Sequence, residues 1–581
     1  MLVVVLSMAS VQAGMSWFAV TQGSEPACGI VTVFAGKPAT LMTKSAELLS
    51  GTVRRWSGVS LPTAAVKAGS RLPDGPSVVL ATLDALRVSV PSLESSSGEI
   101  GRVACIDEQG FAMAQVDGKV FVVSKTPRGV YNGAVYLTDF LLDGPKGALS
   151  IGGLPVVKTP QMPGRASYHL TIWGNEAEYT AKDWEGAIDS YARDGFDRVY
   201  FWVSGHFPSK KYPQTYKCRD NGWDTTEKSR IGTIKDLRAI MKRSQEMGLK
   251  FYLGGALGGW VGTMHLTNMQ PGTMKTGDDI APNCLCPSHP ASRKALVEYY
   301  KEVFDAFPEA DGVYIEMADE WGECRCDMCG RPVDSLGSRQ FGQSQLTLAQ
   351  EIAREIWRDH PHARFALTVG YDEHKNDPAF YEVVRQMNDP RFEWMEARNS
   401  WEWPGPDGKP LPASYFTRQV MHWSQHYNLP LEHIIEDANR IAKSGYYGLA
   451  TAYEPGFGSG SFYREIPFPV DVLPYALTGF VFREATWDPA ISIEEMRSRV
   501  QRKFFGSDAP EQLGRDLWTM RELIRTASGT GKLSDAERVL LGEIEERTRK
   551  SESIACPKTL DGIALLKRAV RDTLEKLGNA K

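Results

Sequence analysis

The chain has 581 residues, too many for one hydrophobic core, and its 42% hydrophobic and 24% charged composition is that of an ordinary globular protein. A net charge of -5 with no basic run excludes a nucleic-acid groove. Aromatic residues make up 10%, a supply that suits both sugar-stacking platforms and large aromatic cores.

Residues 1–13 read as a signal peptide. The apolar stretch is too short to cross a bilayer, and Val11 and Ala13 stand where small residues precede a signal-peptidase cut. A secreted or periplasmic location is therefore expected, with no membrane span later in the chain.

Residues 14–158 read as a small α/β domain. Ser77–Thr82 is strand-like, and Phe111–Val116 and Lys119–Ser124 flank Asp117-Gly118, the signature of a type I′ hairpin. From Gly129 the apolar residues fall at helical spacing, which predicts a helix packed on the sheet.

Residues 159–490 alternate strand runs with helix runs, the pattern of a parallel sheet covered by helices. Strand-like runs stand at 167–174, 197–204, 250–257, 312–319, 363–371, 392–398, 418–425 and 446–453, which predicts a (β/α)8 TIM barrel. Residues 491–581 read as a C-terminal helical domain, with capping boxes at Ser492–Glu495 and Ser534–Glu537.

In such barrels the chemistry sits at the C-terminal strand ends. The fourth run ends in Tyr314-Ile-Glu-Met-Ala-Asp-Glu-Trp321, which puts Asp319 and Glu320 side by side at the rim and Glu316 three residues earlier, inside the strand. Neighbouring carboxylates raise one another's pKa, so one can stay protonated and serve as a general acid for glycosidic cleavage. Glu396 ends the sixth run and Glu454 follows the eighth, and either is the candidate for an ordinary nucleophile. Trp401, Trp403 and Trp423 follow the sixth and seventh runs, as a stacking wall for a pyranose ring or as core. His206 follows the second run, in reach of a substrate.

Five of the nine cysteines fall in two tight groups around the fourth run: Cys284 and Cys286 before its leading helix, then Cys324, Cys326 and Cys329 after its end. The Cys-x-Cys and Cys-x-x-Cys spacings suit a closed structural zinc site, a secreted chain also permits disulfides, and free thiols are the third alternative. Zinc or disulfides would pin the loop that carries Asp319 and Glu320. No cofactor is expected in catalysis.

Val303–Glu320 with the preceding Leu285-Cys-Pro-Ser-His-Pro290 resembles the family 20 β-N-acetylhexosaminidases, where a helix leads through a Phe-Pro turn into a strand bearing His-x-Gly-Gly-Asp-Glu. Asp319 and Glu320 match the Asp-Glu of that motif; Ile315 replaces its His, and Met317-Ala318 replace its glycines. Thr126–Leu142 resembles the end of the small domain that precedes the barrel in families 20 and 67, and Pro160–Arg165 resembles the family 20 barrel entry. Asp319–Cys329 also resembles the Asn-Asp-x-x-x-x-Cys-x-Cys-x-x-Cys segment of barrels that include the family 163 endo-β-N-acetylglucosaminidases.

The family 20 resemblance implies substrate-assisted, retaining cleavage of β-linked N-acetylhexosamine in an oligosaccharide or glycan. Glu320 would protonate the leaving oxygen, and Asp319 would orient the acetamido group. It also implies that Arg165 and Glu454 grip sugar hydroxyls. A glycosidase for another sugar, such as a uronic acid as in family 67, and a non-catalytic carbohydrate-binding barrel are the alternatives.

Overall fold

The computed structural model describes residues 17–37, 39–169, 171, 179–216, 230–258, 285–317, 341–369, 378–396, 403, 407, 409, 411–412, 417–422, 429–452, 473, 475–530, 532–554 and 556–579. The predicted signal peptide lies outside them. The chain packs as two units: Met1–Pro160 with Ser492–Ile524 and Leu533–Lys581, and Gln161–Ile491 with Arg525–Lys532.

The first unit is built on a mixed sheet of six strands: β1 (Gly29–Phe34), β2 (Thr63–Lys67), β3 (Ser77–Thr82), β4 (Phe111–Val116), β5 (Lys119–Ser124) and β6 (Val156–Lys158), in the order β6-β4-β5-β3-β1-β2. The β4–β5 hairpin turns on Asp117 and Gly118, both at positive φ (50° and 71°), as a type I′ turn requires. Helix α1 spans Thr40–Ser57 and α2 spans Pro127–Tyr136. Thr126 caps α2 by accepting the Gly129 N–H, and Pro127 fills the first turn, where its missing N–H costs nothing. A side chain at Gly129 would fall 1.8 Å from Ser124 Oγ, so only glycine lets α2 lie this close to β5.

The sequence reading sets 491–581 apart as a domain, whereas most of this helical segment packs in one unit with the N-terminal sheet. The tie is a buried amine. Lys558, in the helix Pro557–Asn579, donates to the carbonyls of Asp139 and Leu142 (3.1 and 3.0 Å) and lies 5.4 Å from the Trp56 ring centre. Burial lowers its pKa, offset in part by Asp143 and Asp139. Trp56 Nε1 in α1 in turn donates to Asp561 (2.8 Å).

The second unit is a closed barrel of eight parallel strands: β7 (Gly164–His169), β8 (Arg198–Trp202), β9 (Lys250–Ala256), β10 (Gly312–Glu316), β11 (Arg364–Val369), β12 (Phe392–Glu396), β13 (Thr417–His422) and β14 (Gly448–Ala452), with β14 pairing back to β7. Helices alternate with the strands, among them α3 (Ala181–Arg193), α4 (Ile234–Glu246), α5 (Pro290–Ala306), α6 (Phe341–Asp359) and α7 (Leu431–Lys443). Together these elements form a (β/α)8 TIM barrel. No described helix is long and apolar enough to cross a membrane.

Side chains alternate along each strand between the barrel interior and the helices. Tyr168, Tyr200, Tyr252 and Tyr314 all turn inward, with ring centres 5.1–5.4 Å apart along the chain of contacts Tyr168–Tyr314–Tyr200–Tyr252. Below this aromatic layer, at the N-terminal strand ends, lies an ionic one. Glu393 accepts from Arg198 (2.5 Å), Arg364 (2.5 Å) and the Tyr252 hydroxyl (3.0 Å). Arg198 also donates to Asp197 and to the Tyr447 hydroxyl (2.8 and 2.9 Å). Burial alone would push the Glu393 pKa up; the two guanidinium groups outweigh it and hold the carboxyl below its usual range.

Glycine makes the strand contacts this tight. A side chain at Gly254 would fall 1.6 Å from the Tyr314 carbonyl oxygen, and one at Gly312 would fall 2.4 Å from that of Arg364. Gly254→Ala is therefore expected to destabilise the barrel by about 3 kcal/mol. A lower urea midpoint at unchanged slope is the expected reading, and an unmoved midpoint contradicts this packing.

Candidate active site

The C-terminal end of the barrel is lined, on its inward positions, by the last residues of several strands. β10 delivers Glu316 there because Gly312, Tyr314 and Glu316 share one face. Glu316 is 1% exposed. The Tyr168 and Tyr314 hydroxyls both donate to its Oε2, the latter at 3.0 Å, and Tyr314 Oη is also 3.0 Å from Thr368 Oγ1. Burial first, then the Glu316 charge, hold both phenols well above their ordinary pKa. They stay protonated donors at any working pH and fix the carboxylate's direction. Sequence reasoning names Glu316 only as a strand residue; its signal is the alternation with Tyr314 and Gly312.

Asp319 and Glu320, three and four positions beyond Glu316, lie outside the described residues. So do Glu454, Trp401, Trp423, Cys284, Cys324, Cys326 and Cys329. Among the described residues no three His, Cys, Asp or Glu side chains gather as a metal site. Cys286 is described and buried, just ahead of α5.

The other predicted site residues are placed by the alternation. Glu396 ends β12, but Glu393 of the same strand faces inward, so Glu396 faces outward. It accepts from Arg418 Nε (2.5 Å) and the Tyr446 hydroxyl (2.8 Å), and burial raises its pKa despite both. Arg418 in turn lies 4.2 Å from the Trp403 ring centre. Trp403 is 1% exposed and packs edge-on to Trp394 at 5.6 Å. Glu396, Arg418 and Trp403 thus form one buried lock on the helix side of the barrel. That corrects their reading as nucleophile and sugar platform, since neither Glu396 nor Trp403 faces the mouth.

Arg165 is corrected in the same way. It is the second residue of β7, at the N-terminal end, and it is fully buried. Its guanidinium donates to the carbonyls of Gly195 and Met162 (both 2.6 Å), bracing the barrel at the end opposite the mouth.

His206 does follow β8 at the mouth end, but it is buried. Its Nε2 is 2.7 Å from Thr171 Oγ1, whose hydroxyl donates to the Trp202 carbonyl (2.6 Å), so Nε2 carries the proton. Burial pushes the His206 pKa down to about 3. His169, on the outer face of β7, is stacked on Tyr191 at 4.9 Å, and burial likewise puts its pKa at about 3.

No family model matches the chain, and no curated protein does. Solved structures match it in fold. A GH20 exo-β-N-acetylglucosaminidase from Vibrio harveyi is 12% identical with a TM-score of 0.56, over 84% of this chain and 74% of that one. The Flavobacterium johnsoniae chitobiase is 12% identical with a TM-score of 0.54, over 97% and 92%. A GH138 enzyme targeting pectin rhamnogalacturonan II is 10% identical with a TM-score of 0.55, over 94% and 69%. The fold is thus one that glycoside hydrolases share.

Two outcomes are expected. Glu396→Ala leaves Arg418 buried without its carboxylate and should destabilise the chain by about 3–5 kcal/mol; a melting temperature within a degree or so of wild type contradicts the lock. Second, both buried histidines have folded pKa values below the ordinary 6.5, so the unfolded chain binds protons that the folded one refuses. Their stabilising contribution is complete above pH 6.5 and is lost as the pH falls from there toward 3. The urea midpoint should drop across that window, and His206→Gln should flatten the slope.

Proposed function

We propose that this chain is a glycoside hydrolase with its acid pair on the loop after the fourth barrel strand. The carrying observation is positional. β10 ends at the inward Glu316, at the end of the barrel where this fold carries its chemistry, and the chain runs from there straight into Asp319 and Glu320.

Glu320 protonates the leaving glycosidic oxygen and then draws a proton from the attacking water. Asp319 orients a 2-acetamido group, whose own oxygen attacks the anomeric carbon, and its charge stabilises the oxazolinium-like intermediate. The outcome is retention at a β-linked N-acetylhexosamine. Substrate reaches a secreted or periplasmic enzyme as an oligosaccharide or glycan. The match-by-match reading of Asp319-Glu320 to the family 20 motif supports this sugar, and the shared fold supports the reaction class.

A second reading keeps the hydrolase and changes the sugar. The same fold occurs in the GH138 enzyme targeting pectin rhamnogalacturonan II, and the alternative sugar here is a uronic acid, as the resemblance of Thr126–Leu142 to family 67 suggests.

A panel of aryl glycosides, assayed with wild type beside Glu320→Gln, tests both. The expected result is turnover of an aryl β-N-acetylhexosaminide, lost by at least ~10²-fold in the variant and inhibited by a thiazoline mimic of the intermediate. Turnover of a uronide that the thiazoline leaves untouched favours the second reading. Equal rates in both proteins reject Glu320 as the acid, and binding of chito-oligosaccharide with no turnover of any glycoside rejects the hydrolase.

A further inference from the structure

Trp202 ends β8 at the mouth of the barrel and shares its inward face with Arg198 and Tyr200. It is fully buried, and its backbone carbonyl accepts from Thr171 Oγ1 (2.6 Å). Among the described residues its indole Nε1 has no hydrogen-bond partner. The indole edge reaches over the end of β9, since a side chain at Gly255 would fall 3.1 Å from Nε1.

Trp202, Gly254 and Tyr314 pair in one row across β8, β9 and β10. Glu316 stands one inward position beyond Tyr314, paired with Ala256. Two strand spacings, about 10 Å, separate β8 from β10. The strand between them ends in Gly254, Gly255 and Ala256, so nothing longer than a methyl group rises from it. This stretch of the mouth thus has an N–H on one side, a carboxylate on the other, and nearly bare backbone between.

An indole N–H can only donate, and a buried tryptophan usually finds it a partner, because an unmet donor costs about as much as a lost hydrogen bond. At the end of the barrel where this fold carries its chemistry, the partner that suits it is an oxygen of a bound molecule. A pyranose ring presents such oxygens, whereas an apolar ligand would leave the donor unmet. The same chain holds a contrasting case. Trp184 Nε1 is also unmet among the described residues, but Trp184 lies in α3 on the helix side, edge-on to His169 and Phe201 (5.1 and 4.8 Å).

We propose that Trp202 is a substrate contact: its Nε1–H donates to a hydroxyl oxygen of the sugar ring seated between β8 and β10. This rests on the glycosidase reading and adds to it a residue that selects for the sugar's hydroxyl pattern.

Two measurements test it. The first is kcat/KM of Trp202→Phe and Trp184→Phe on the aryl glycoside that wild type turns over. A loss of about tenfold is expected for Trp202→Phe, the scale of one hydrogen bond, and none for Trp184→Phe. The second needs no turnover. The indole resonances of wild type labelled with 15N-tryptophan are followed by NMR as chito-oligosaccharide or glucuronic acid is added to saturation. The Trp202 resonance, assigned by its absence from Trp202→Phe or Trp202→Tyr, should shift while that of Trp184 stays. Equal kcat/KM in wild type and Trp202→Phe, an equal loss in Trp184→Phe, or a Trp202 resonance unmoved by a saturating sugar overturns the contact and leaves the hydrolase intact. A shifted Trp202 resonance in a protein that turns over no glycoside keeps the contact and removes the hydrolase. Neither turnover nor any shift removes both.

Discussion

A closed barrel leaves each strand side chain two places to go, the interior or the helix layer, and the choice alternates residue by residue. Most of what this molecule does with charge follows from that parity. Glu393 and Glu396 are three apart on one strand and so face opposite sides. The first meets Arg198 and Arg364 inside the barrel; the second meets Arg418 outside it. Their pKa values move in opposite directions for that reason. Both are desolvated, but two cations face Glu393 and one faces Glu396.

The interior is layered by the same rule. The ionic floor is matched in charge, with Arg198 and Arg364 against Glu393 and Asp197. Above it the tyrosine rings exclude water, and their hydroxyls point to whichever carboxylate their level offers. Tyr252 serves Glu393 below, while Tyr168 and Tyr314 serve Glu316 above. Floor and mouth are thereby separated by an aromatic plug, so the mouth can carry unbalanced acid groups without disturbing the ion pairs that hold the strands together.

Much of this was legible in the sequence. The runs at 250–257, 363–371 and 392–398 contain the strands Lys250–Ala256, Arg364–Val369 and Phe392–Glu396, and the Asp117-Gly118 turn follows its dipeptide. The first barrel strand was not. The run read at 167–174 begins three residues late: Gly164 opens the strand, because its backbone lies against Gly448 and a side chain there would strike the Tyr447 ring at 2.7 Å. That contact is between residues nearly three hundred positions apart, and no local pattern encodes it. The slip moves Arg165 from a loop into the strand, from a sugar grip to a brace. Trp403 failed for a related reason. Its composition and position suited a platform, and only the partner across the fold, Arg418, shows which face of the barrel it covers.

Parity also bears on where function can lie. Among the strand carboxylates, Glu393 is neutralised at the floor and Glu396 is locked outside. Glu316 is left at the mouth, held by two tyrosines that stay protonated. A carboxylate so fixed has little freedom to trade protons with a substrate.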